Sequence, residues 1–107
     1  GTRVCSDGAV GRIYNKLNNS SLLKLTLATP YSGTLRARRV TAGSDPDLLL
    51  YRDGVLIDSL ETRAVGSEAK SVSLDAGTYV LETYDIKNIE EGFGAPLAVC
   101  IDVSLAP

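Results

Sequence analysis

Asp45 and Asp47 flank Pro46, and Asp53 follows just before Gly54. Hard cations such as calcium need several oxygen ligands, and clustered carboxylates with loop carbonyls supply them. The same residues have a plainer use, with Asp45 organising a turn through its side chain while Asp47 pairs with an arginine or accepts backbone N–H bonds. An EF-hand loop is excluded by the spacing and by the missing terminal glutamate. A second acidic group, Asp85 with Glu90 and Glu91, borders a stretch from Lys87 to Pro96 that carries two glycines and a proline. That stretch is expected to be a long surface loop, the kind of segment where binding functions accumulate. Tyr31, Tyr84 and Phe93 are expected at a turn, on the outer side of a strand and in that loop, where they are candidates for contacting a polymer. Tyr51 and Tyr79 are expected in or at the rim of a core, with each hydroxyl reaching a partner. A paired-carboxylate glycosidase needs no histidine, yet nothing in this chain fixes such a pair and no tryptophan offers a saccharide platform.

The residue types that are missing narrow the chemistry further. The chain has no histidine, methionine or tryptophan. Ser-His-Asp and Cys-His catalysis, imidazole zinc sites and histidine pH switches are therefore excluded. The two cysteines are too few for an all-thiolate zinc site. A noncatalytic domain is the leading expectation. At 107 residues there is room for one domain with one core.

Eleven basic and thirteen acidic residues leave a net charge of −2, which argues against a nucleic-acid binder. Residues 1–53 carry +4 and residues 54–107 carry −6, but a β-fold interleaves its halves and turns such a split into mixed-sign faces. Arg36 and Arg38 share one face of an expected strand, with Lys24 or Arg12 on a neighbour. Such a basic strip either meets an anionic partner or guards a strand against edge pairing. No apolar run approaches 18 residues, so no membrane span is expected. Without an initiator methionine or signal peptide, the chain reads as a piece of a longer secreted protein. Two overlapping glycosylation sequons over Asn18-Asn19-Ser20-Ser21 matter only in a eukaryotic secretory pathway.

Cys5 and Cys100 lie near the two ends. In a reducing compartment they are two unrelated buried thiols; in an oxidising one they join the first and last strands, which is the favoured expectation. Such a bridge is worth on the order of 4–5 kcal/mol in the chain-entropy account.

Candidate residues need elements to hold them, and the periodicity here is β throughout. Leu23, Leu25 and Leu27 alternate with Lys24 and Thr26, and Leu97, Val99, Ile101, Val103 and Leu105 alternate with Ala98, Cys100, Asp102 and Ser104. Cys100 therefore points away from the main apolar row, so a bridge there sits on an outer face or at an edge. Tyr31-Ser32-Gly33 is expected to interrupt the chain before a strand over Thr34–Thr41. Ala42–Pro46 reads as a loop, Asp47–Arg52 and Val55–Leu60 as a hairpin around Asp53-Gly54, and Val65–Ala69 as another loop. Lys70–Leu74 and Thr78–Ile86 follow, separated by a turn at Asp75-Ala76-Gly77. About eight strands at near-regular spacing, with no helix, predict an all-β fold: an antiparallel β-sandwich of jelly-roll type.

The centre of the chain is more specific than its periodicity. Ser44-Asp45-Pro46-Asp47-Leu48-Leu49-Leu50-Tyr51-Arg52-Asp53-Gly54 is followed by Val72-Ser73-Leu74-Asp75-Ala76-Gly77-Thr78-Tyr79-Val80-Leu81. The order and spacing of these two pieces resemble the bacterial pre-peptidase C-terminal domain family, in which an Asp-x-Asp-Leu-x-Leu-Tyr strand precedes a Leu-x-Ala-Gly-Thr-Tyr turn. The resemblance covers residues 34–86 well and the flanks only by strand pattern. It implies a noncatalytic β-sandwich appended to a secreted protease or other exported enzyme, where it assists substrate binding, secretion or maturation. Collagen-binding relatives in clostridial collagenases bind calcium through an acidic N-terminal linker. This chain departs from them, because its first nineteen residues hold one carboxylate, Asp7. The cysteine pair is a further departure.

The resulting expectation is a monomeric, secreted or periplasmic accessory domain whose partner is a parent catalytic domain or an extracellular polymer, with no nucleic acid and no membrane span. The rivals are a carbohydrate- or protein-binding adhesion module presenting Tyr31, Tyr84, Asp85, Glu90, Glu91 and Phe93, and a purely structural domain tied by its disulfide.

Overall fold

The structure is a computed structural model that describes residues 1–6, 20–61, 67–85 and 98–107. Eight strands follow one another: β1 (Thr2–Ser6), β2 (Ser20–Leu27), β3 (Tyr31–Arg39), β4 (Pro46–Arg52), β5 (Val55–Leu60), β6 (Glu68–Leu74), β7 (Gly77–Asp85) and β8 (Val99–Ala106). They form two four-stranded antiparallel sheets, ordered β1-β8-β3-β6 and β2-β7-β4-β5. The first strand pairs with the last, the second with the seventh, and so inward to the β4–β5 hairpin. A long antiparallel ribbon folded over on itself produces this nested pairing, which is the jelly roll expected from strand number and spacing. Among the described residues no helix is long and apolar enough to cross a membrane.

Alternation along each strand fills the space between the sheets. Leu35, Ala37, Val72, Leu74, Ile101 and Val103 come from one sheet and Leu48, Leu50, Leu60, Tyr79 and Leu81 from the other. Each large side chain in this layer contributes roughly 1.5–3 kcal/mol through removal from water. The residues between them face outward. Cys100 follows that rule and is bonded to Cys5, its register partner, on the side of the β1-β8-β3-β6 sheet turned away from the core. Beside it Asp102 accepts two hydrogen bonds from Arg3, at 2.9 and 3.1 Å, and one from Arg38 at 2.5 Å. These bonds, led by that from Arg3, hold the Asp102 carboxyl down at about 2. Basic residues from the first half of the chain thus meet an acid from the second, as interleaving requires.

The quoted motif residues have a common structural task. Asp53 and Gly54 turn the β4–β5 hairpin with φ of 51° and 77°, the left-handed conformation that such two-residue loops require. At the start of β7, Tyr79 is 1% exposed and its hydroxyl donates to the Asp75 carbonyl at 2.8 Å. Arg52 donates to the Ala76 carbonyl at 3.1 Å and lies 5.4 Å from the Tyr79 ring centroid. A side chain at Gly77 would press on that guanidinium. Tyr79 and Arg52 therefore clamp the turn that launches β7, which accounts for the Ala-Gly-Thr-Tyr spacing.

Two local expectations are corrected. Tyr31-Ser32-Gly33 does not interrupt the chain; it begins β3, opposite Leu74, Ser73 and Val72. Glycine there serves close approach, because a Cβ at Gly33 would collide with the Ala106 carbonyl and the Tyr31 ring. Glu68 and Ala69, expected in a loop, open β6 and pair with Ala37 and Arg36. In both cases ladder hydrogen bonds to β3 or β6 override a local turn composition.

Candidate functional site

All six buried polar residues among the described ones gather where β4 begins, β6 begins and β7 ends: Ser44, Asp45, Asp47, Glu68, Thr83 and Asp85. The sequence builds this region from Pro46. Proline has no N–H to give the sheet and is tolerated as the first residue of a strand. Its register partner on β7 is Asp85. The Asp85 carboxylate, 2% exposed, accepts the Asp45 N–H at 2.7 Å and the Ser44 hydroxyl at 2.9 Å. A side chain thus replaces the ladder bond that proline forfeits, and it fixes Asp45 at the mouth of β4.

Asp47, opposite Tyr84 in the ladder, is 6% exposed. No N–H, O–H or cation among the described residues meets its carboxylate. Burial, reinforced by the negative charges of Asp45, Glu68, Glu61 and Asp85, pushes the Asp47 carboxyl up to about 8. The ligand oxygens of Asp45, Asp47 and Glu68 all lie within 4.8 Å of one another. Glu68 belongs to the sheet opposite β4, so the cluster joins the two sheets at one end of the sandwich. Nearby, the Tyr84 hydroxyl donates to Glu61, and burial together with that bond pushes its pKa upward.

The sequence-predicted residues divide accordingly. Asp45 and Asp47 come together, but Asp53 sits on the hairpin at the other end of β4. Six residues of extended chain hold it roughly 20 Å from Asp47. Glu68 takes the third place. No spacing rule ties it to an aspartate twenty-one positions earlier, and only the β3–β6 pairing brings it there. Asp85 is a buried structural acceptor in this region, whereas Glu90, Glu91 and Phe93 lie outside the described residues. Tyr84 is on the outer side of its sheet as expected, yet it is 6% exposed and packs with Leu49 and Tyr51. Tyr31 is half-buried beside Gly33. The basic strip is divided: Arg36 and Arg38 are on β3, Lys24 is on β2 of the other sheet, and Arg12 is outside the described residues.

No family model and no curated protein sequence matches the chain. A solved structure does. The pre-peptidase C-terminal domain of a collagenase from Bacillus anthracis superposes with a TM-score of 0.63 at 10% sequence identity, over 96% of this chain and 88% of that one. The two proteins share the β-sandwich fold.

Proposed function

We propose that this chain is a pre-peptidase C-terminal-like accessory domain of an exported enzyme, a protease in the first instance, and that it binds or positions substrate rather than transforming it. The observation that carries this reading is the fold likeness to a collagenase domain over nearly the whole of both chains. Three further features support it. The two motif pieces are used structurally in the order the resemblance implies, the chain has no histidine, and its disulfide suits an oxidising, extracellular or periplasmic setting. The full reading frame is expected to encode a catalytic domain. Deleting residues 1–107 from that parent should reduce turnover of an insoluble protein substrate while leaving cleavage of a short soluble peptide unchanged. A reading frame without an enzyme domain, or equal loss on both substrates, overturns the proposal.

A second reading, an adhesion module, is favoured by one surface. Across the outer face of the β2-β7-β4-β5 sheet, Lys24, Val80, Tyr51 and Leu56 stand in one row beside Leu22. Leu22 is 70% exposed and Leu56 51%. Exposed apolar residues beside a tyrosine suit contact with a polymer. Retention on an insoluble collagen or glycan column, weakened by Leu22→Ser with Leu56→Ser, is the expected result for this reading.

A further inference from the structure

We propose that Asp45, Asp47 and Glu68 form a binding site for one hard divalent cation, calcium in the first instance, which fastens β4 of one sheet to β6 of the other. The inference goes beyond the accessory role and does not depend on it.

The first argument is spacing. Calcium lies about 2.3–2.6 Å from each oxygen ligand, so oxygens on opposite sides of one ion stand at most about 5 Å apart. The three carboxylates, within 4.8 Å of one another, satisfy that limit. The ligand type is equally selective. All three donors are carboxylate oxygens, the chain has no histidine, and both cysteines are in the disulfide. Such a set suits calcium or magnesium rather than softer transition metals.

The second argument is Asp47 itself. A carboxylate 6% exposed, with no hydrogen-bond donor or cation from the described residues, is an uncompensated buried charge. It is aimed into the cluster by the same spacing. A proton would neutralise Asp47 alone, whereas a divalent cation would engage Asp47 and both neighbouring carboxylates at once.

The test is calorimetric titration of calcium chloride, and separately of magnesium chloride, into the chelator-treated 107-residue chain at neutral pH, with thermal unfolding alongside. The expected result is one calcium per chain, a dissociation constant on the order of 10⁻⁴–10⁻³ M or tighter, and a rise in Tm reversed by chelator. Asp47→Asn and Glu68→Gln should each abolish binding. Asp47→Asn should do so while the ion-free chain keeps its cooperative thermal unfolding, which separates lost ligation from misfolding. The proposal is overturned by an absence of heat and of Tm shift with either ion, or by binding that survives both substitutions. Because only the chain is used, failure here leaves the accessory role standing, and failure of that role leaves this site standing.

Discussion

Cys5 and Cys100 face each other in register across β1 and β8, with Cα atoms 4.1 Å apart and their sulfurs joined, on the side of the sheet away from the core. The bridge closes a sequence separation of 95 residues. Its contribution therefore lies mainly in restricting the unfolded chain, and packing between the sheets does not depend on it. Cys5→Ser with Cys100→Ser is expected to lower stability by about 2–5 kcal/mol in denaturant unfolding. Reductant should bring the natural chain to the level of the variant and leave the variant unchanged.

Asp85 holds Ser44 and Asp45 at the entry to β4. Asp85→Ala would leave a buried N–H and a buried hydroxyl without this acceptor, at a cost of roughly 2–4 kcal/mol. Asp85→Asn keeps one acceptor oxygen and should cost clearly less. Equal losses for the two variants, measured by chemical denaturation, would show that the charge rather than the acceptor matters.

Thr83 presents the opposite case. Its hydroxyl is buried and has no hydrogen-bond partner among the described residues. Thr83→Val replaces an unsatisfied polar atom with a methyl group of similar shape. It should be neutral or stabilising, within about 1 kcal/mol. A loss well beyond that figure would show that the hydroxyl has a partner in solution.

For the ion-free chain, Asp47 sets a pH dependence. Burial first, then the surrounding carboxylates, raise its pKa from 3.8 to about 8. The folded chain keeps this proton through the range in which the unfolded chain releases it. The stabilisation is complete below about pH 4 and is lost as pH rises toward 8. Thermal unfolding in chelator should show this decline for the natural chain, with a markedly flatter profile for Asp47→Asn.

Much of the fold was legible in the sequence because a strand's side-chain period is a local property. Leu23-Leu25-Leu27 and Val99-Ile101-Val103 declare their buried faces without reference to any partner, and the same alternation places Cys100 outside. Asp53-Gly54 announces its turn because few residue pairs accept positive φ twice in succession. Where composition and pairing disagreed, pairing prevailed: Tyr31-Ser32-Gly33 has the composition of a turn, yet β6 supplies partners that make it strand. Two of the three candidate cation ligands were legible for a similar reason, since Asp45 and Asp47 are held together by one proline.

By itself, then, the sequence determined an antiparallel sandwich without histidine-based chemistry, an outward-facing cysteine pair and an acidic entry to β4. Only the tertiary structure decided which residues share that entry. The nested strand order carries Asp53 to the far end of β4 and brings Glu68 across from the other sheet. It also buries Asp47 among like charges with no cation from the described residues on its carboxylate. Periodicity specifies the face on which a residue lies; distance between strands far apart in sequence follows from the way the ribbon folds over, and no local pattern encodes it.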